Sequence, residues 1–124
     1  MDKSDCSGEL LGRMASWGCD VSGALPRFVG DREFYCRMLA LVPEEEDFAK
    51  LGVSLAAGDA KAAFNAAHTL KGVLGNLGLT PMYEETCAIV EPLRAGVLEG
   101  TQEHYEELLR QKAKLERLLS GGDA

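Results

Sequence analysis

Aromatic residues are scarce in this chain of 124 residues, at 6% of the total. Aliphatic side chains supply most of its hydrophobic content, a balance that suits packed helices. Cations are also short: Lys and Arg number 13 against 20 Asp and Glu, for a net charge of −7. An acidic chain without a basic run is a poor nucleic-acid binder, so nucleic acid is excluded as a partner. Cys6, Cys19, Cys36 and Cys87 lie far apart. They form no CxxC pair, and no Cys/His cluster has metal-ligand spacing. They read as free, mostly packed thiols of a reducing cytoplasm. No apolar run reaches the roughly 18 residues that a membrane helix needs, and no signal peptide is recognisable. Membrane insertion is therefore not expected. Neither a Walker A motif nor a G-x-G-x-x-G loop appears, which excludes autophosphorylation from ATP.

What remains is helical patterning, with no segment that alternates like a strand. The length fits one domain over residues 1–124, frayed at 1–7 and 121–124. Leu10, Leu11, Met14 and Trp17 recur at helical spacing. Asp20 is placed to cap a second short helix through Phe28. Asp31 to Ala57 reads as a long helical region that Pro43 should kink or restart. Asp59 caps a helix to Leu77, and Gly78 reads as its C-terminal cap. Thr80 and Pro81 should open the next helix, running to about Leu98 with a bend near Pro92. The last helix carries Tyr105, Leu108, Leu109, Lys112, Leu115 and Leu119 at helical spacing. These segments and their short connections predict an all-α fold. It is an antiparallel four-helix bundle with one or two short additional N-terminal helices.

The helix from Asp59 to Leu77 holds the unusual residues. At about 100° per residue, Ala63, Ala66, Leu70, Val73, Leu74 and Leu77 fall on one side. His68 projects about 160° from Leu70 and faces outward. Lys61, Phe64, Asn65, Lys71, Gly72 and Gly75 share that outer half. Gly72 and Gly75 each cost roughly 1 kcal/mol relative to alanine inside a helix. A local rule broken without structural gain often marks a functional site. The expected gain is access, since a missing side chain one turn after His68 lets another backbone approach. The alternative is tight packing of the glycines against a neighbouring helix.

A neutral imidazole is a competent nitrogen nucleophile. A phosphoryl carrier needs an exposed nitrogen, nearby positive charge and room for a donor. Lys71, three residues after His68, is placed to supply the charge. The run Ala67-His68-Thr69-Leu70-Lys71-Gly72-Val73-Leu74-Gly75-Asn76-Leu77-Gly78 closely resembles the motif of the histidine phosphotransfer (HPt) family, four-helix modules of two-component phosphorelays. In that family the histidine of H-x-x-K-G accepts a phosphoryl group from a receiver-domain aspartate and passes it on. The resemblance places His68 as phosphoacceptor, Lys71 as phosphate-charge residue and Gly72 as the opening. Asn76 and Gly78 match the positions that follow. Some members carry a glutamine on the next helix that hydrogen-bonds near the histidine. Here Cys87-Ala88-Ile89-Val90-Glu91 contains none, so no residue is assigned to that role.

The expected function is that of a phosphorelay intermediate serving receiver domains, including that of a hybrid sensor histidine kinase. It is a cytoplasmic monomer without a cofactor of its own, and Mg²⁺ belongs to the receiver. Phe64 and Leu79 are expected to form an apolar docking patch, with Lys61, Asn65, Gly75 and Asn76 as further contacts. The alternative is a binding-only module that docks receivers without carrying phosphate. A helical enzyme with His68 as general base ranks third, since no second catalytic group can be placed beside it. His104 has no comparable neighbours in sequence and reads as a surface residue of the last helix.

Overall fold

The computed structural model describes residues 8–121. Of the loose ends expected at 1–7 and 121–124, residues 1–7, with Cys6, and 122–124 lie outside the described residues. Seven α-helices follow in order: α1 (Gly8–Trp17), α2 (Val21–Ala24), α3 (Arg32–Leu41), α4 (Asp47–Ala57), α5 (Ala60–Asn76), α6 (Thr80–Arg94) and α7 (Thr101–Leu119). No strand occurs among the described residues. Helices α4 to α7 form the bundle: each packs on the next, and α4 also meets α7. The N-terminal helices lie against it, and one hydrophobic core draws residues from all seven.

The expected long helix over 31–57 is two helices. A 3₁₀ turn at Val42–Glu44, with Pro43 inside it, separates α3 from α4. Proline has no N–H to donate and its ring crowds the preceding turn, so the α-helical ladder stops there. The segment after Asp20 likewise tightens, from α2 into a 3₁₀ turn at Leu25–Phe28. Its exit residue, Val29, holds a left-handed φ of 51° and is 85% exposed.

Glycines stop α5 and α6 in the same way. Gly78 has φ 71° and donates to the Gly75 carbonyl at 3.1 Å, while Leu79 donates to Leu74 at 3.0 Å. This paired return is the Schellman arrangement. Gly96 repeats it at the end of α6, donating to Leu93 while Val97 donates to Pro92. The helix therefore ends at Arg94, short of the expected Leu98. Thr80 is not the cap of α6. The capping position is Leu79, without a side-chain bond, and Thr80 is the first helical residue.

The end of α5 is tied down by the N-terminal segment. The Arg27 guanidinium donates to the carbonyls of Gly75 at 3.2 Å and Asn76 at 2.9 Å, two of the acceptors that a helix C-terminus leaves unpaired. The buried Tyr35 hydroxyl donates to the Leu77 carbonyl at 2.7 Å. Burial raises the Tyr35 pKa well above its ordinary value near 10, and the phenol stays a donor.

Candidate functional site

Helix α5 begins where expected, with the Asp59 carboxylate accepting from the Ala62 N–H at 3.1 Å. Ala63, Ala66, Ala67, Leu70 and Leu74 form its buried face. The burial of these five small and branched residues sets the rotation of the helix, and His68, on the far side, is exposed. Lys61, Asn65, Gly72 and Asn76 are exposed with it, and Phe64, Lys71 and Gly75 are half-buried. The expected outer face is thus assembled on one helix. His68 and Lys71 are neighbours by the i, i+3 geometry of the helix.

The two helical glycines have different roles. A Cβ at Gly72 would meet nothing within 4 Å, which leaves an open approach one turn beyond His68. A Cβ at Gly75 would lie 3.0 Å from the Tyr83 ring of α6. Gly75 is therefore a packing residue, the alternative to the access role expected for it. Leu79 also departs from expectation. It is fully buried, because the residue after a Schellman glycine turns back onto the helix it has left. It cannot contribute to a docking patch.

The apolar surface near the site lies elsewhere. A groove of about 520 Å³ runs between α3 and α5, lined mainly by the apolar Phe28, Met38, Leu41, Val42, Val73 and Leu77, together with Glu45, Gly72 and Asn76. Leu41 is 53% exposed there. This surface comes from the segment before the bundle, which the motif alone does not point to.

Among the described residues, nothing hydrogen-bonds the His68 ring. Its ring contact is with Phe64, one turn earlier, at 5.6 Å between centroids and 12° between planes. The Arg94 guanidinium lies over the Phe64 ring at 5.3 Å. Arg94 was missed in the sequence because its place depends on the register of α5 against α6. Gly75 meets Tyr83; about three turns back on α5 and three forward on α6 bring Phe64 to Arg94.

His104 is an exposed residue of the last helix, as expected. Its Nδ1 lies 2.8 Å from the Glu85 carboxylate of α6. Among the described residues, no cluster of three or more His, Cys, Asp or Glu could hold a metal, and no helix is long and apolar enough to cross a membrane. Cys19 and Cys36 are buried and Cys87 is half-buried. Burial pushes the Cys19 thiol up to about 12.

The comparison with protein-family models now bears on this arrangement. The model described as the Hpt domain matches residues 44–121. The chain belongs to the Hpt domain family. The matched span runs from just before α4 to just past α7 and contains His68, Lys71 and Gly72. Hpt domains are phosphocarriers that work with receiver domains in two-component phosphorelays. Helices α1 to α3 precede the Hpt match, and Met38 and Leu41 of α3 line the groove. No curated protein and no solved structure matches the chain.

Proposed function

We propose that this Hpt protein is a phosphorelay intermediate in which His68 accepts a phosphoryl group from a receiver aspartate and passes it to a second receiver. The observation that carries the reading is an exposed imidazole that has no hydrogen-bonding partner among the described residues, beside Lys71 and the open position at Gly72, on the face where the family motif falls. In the first transfer the lone pair of the imidazole nitrogen forms the P–N bond. The bond from phosphorus to the aspartyl oxygen breaks, and its electrons leave with the carboxylate. The ring proton stays on the other nitrogen. In the second transfer a carboxylate attacks phosphorus and the P–N electrons return to the ring. Phosphoryl transfer depends chiefly on positioning and charge, so a carrier needs little more than Lys71 and an open approach. Mg²⁺ is supplied by the receiver, and this chain uses no cofactor of its own.

Lys61, Asn65, Gly72 and Asn76 form the polar part of the receiver-docking surface, and the α3–α5 groove forms its apolar part. Polar rims around an apolar centre are a common interface pattern. The chain acts as a monomeric, single-domain cytoplasmic carrier without autokinase activity. The test is incubation with a phosphorylated receiver and Mg²⁺, followed by acid and alkali treatment. A label on this chain that is acid-labile, alkali-stable and absent from His68→Gln supports the carrier. Receiver binding without any label on His68 across a broad panel of receivers favours a docking-only module.

A further inference from the structure

A carrier histidine must aim a nitrogen lone pair at phosphorus, in line with the bond that breaks. An exposed imidazole on a helix is free to change rotamer unless something holds it. His68 has no hydrogen bond to do so among the described residues, and α6 offers no glutamine. What the ring does have is a stack. Phe64 lies nearly parallel to it, at a separation typical of offset aromatic pairs. Phe64 is itself anchored, half-buried against the core. Its ring also carries the Arg94 guanidinium, within cation–π range. The contact joins α5 to the last turn of α6, where Arg94 also pairs with Glu91 at 3.5 Å. Two of these three side chains thus come from adjacent turns of one helix, and the third locks the middle one from a second helix.

We propose that Phe64 and Arg94 are positioning residues for phosphoryl transfer: Phe64 fixes the plane of the His68 imidazole by stacking, and Arg94 fixes Phe64. The stack takes the place of a hydrogen bond from the next helix. The proposal rests on the carrier reading of His68. It assigns Phe64 a role in the transfer step rather than in docking, and the two roles separate kinetically. A docking residue changes the receiver concentration at half-maximal rate. A positioning residue changes the maximal rate at saturating receiver.

The experiment is single-turnover transfer from a phosphorylated receiver to the full chain, titrated to saturation, with proton NMR of the His68 ring. Phe64→Leu keeps apolar bulk and removes the stack. It is expected to lower the maximal rate by up to about tenfold, leave half-saturation unchanged and abolish the ring-current shift of the His68 protons. Phe64→Tyr restores both. Arg94→Gln gives a smaller drop, absent when Phe64 is already leucine, and Arg94→Lys recovers part of it. A Phe64→Leu protein with raised half-saturation at unchanged maximal rate, or with an unchanged His68 spectrum, overturns the proposal. If Phe64→Leu does not fold, the exposed Arg94→Gln variant decides: an unchanged maximal rate and ring shift overturn it. Failure of the carrier reading is seen separately, as wild-type protein that takes up no phosphoryl group while its ring shifts still report the stack.

Discussion

The two histidines of the described chain occupy opposite electrostatic settings. His104, on α7, is held at 2.8 Å by Glu85 of α6. The same helix carries the Arg110–Glu107 and Lys112–Glu116 pairs. Four of its charged side chains are thus paired with one another. On the outer face of α5, His68, Lys61 and Lys71 have no ionic partner among the described residues, and a glycine follows where a side chain would cover the approach. The His104 Nδ1 is engaged by a carboxylate. A histidine whose nitrogens are open, next to an unpaired cation, is available to an incoming anion. The difference lies in the neighbours, since both residues are exposed.

Replacement of the two histidines gives the largest contrast. His68→Gln should abolish uptake of the phosphoryl group entirely, and His104→Gln should leave it at the wild-type level, both read by label retained after transfer from a receiver. The unpaired cation comes next. Lys71→Ala should slow transfer about tenfold, the loss expected when a charge-assisted contact worth roughly 1.4 kcal/mol is removed. Lys112→Ala, which removes a cation already paired with Glu116, should leave the transfer rate unchanged. Equal slowing by both would erase the distinction between free and paired charge.

The glycines sharpen the comparison through stability. Gly72→Ala should stabilise the fold by up to about 1 kcal/mol in urea unfolding, since helix propensity improves and nothing opposes the new methyl. Gly75→Ala should gain less or lose, because its methyl presses on Tyr83. A larger gain at Gly75 than at Gly72 would contradict the roles assigned here. The smallest effect belongs to the α6–α7 pair. Glu85→Gln should lower stability by less than about 1 kcal/mol, as loss of a partly exposed polar contact does, with no change in transfer.

How far the sequence disclosed this arrangement depended on whether a feature was local to one helix. The outward direction of His68 and Lys71 followed from the 3.6-residue period of α5, and the caps at Asp20 and Asp59 from their own side chains. Features that need two elements were not legible. Gly75 looked like an opening until its register against Tyr83 was known, and Arg94 had no place over Phe64 until α5 and α6 were aligned. Leu79 read as an exposed residue after a turn, yet the chain reversal at Gly78 carries it into the core. The early stop of α6 had a local signal in Gly96. The groove between α3 and α5 depends on how the N-terminal helices fold back on the bundle.

The most direct test of the central claim is phosphorus NMR of the chain after transfer from a phosphorylated receiver, run on wild type, His104→Gln and His68→Gln. The account predicts one phosphoramidate resonance in wild type and His104→Gln, absent in His68→Gln. A resonance that persists in His68→Gln, or none in any of the three across a panel of receivers, contradicts it.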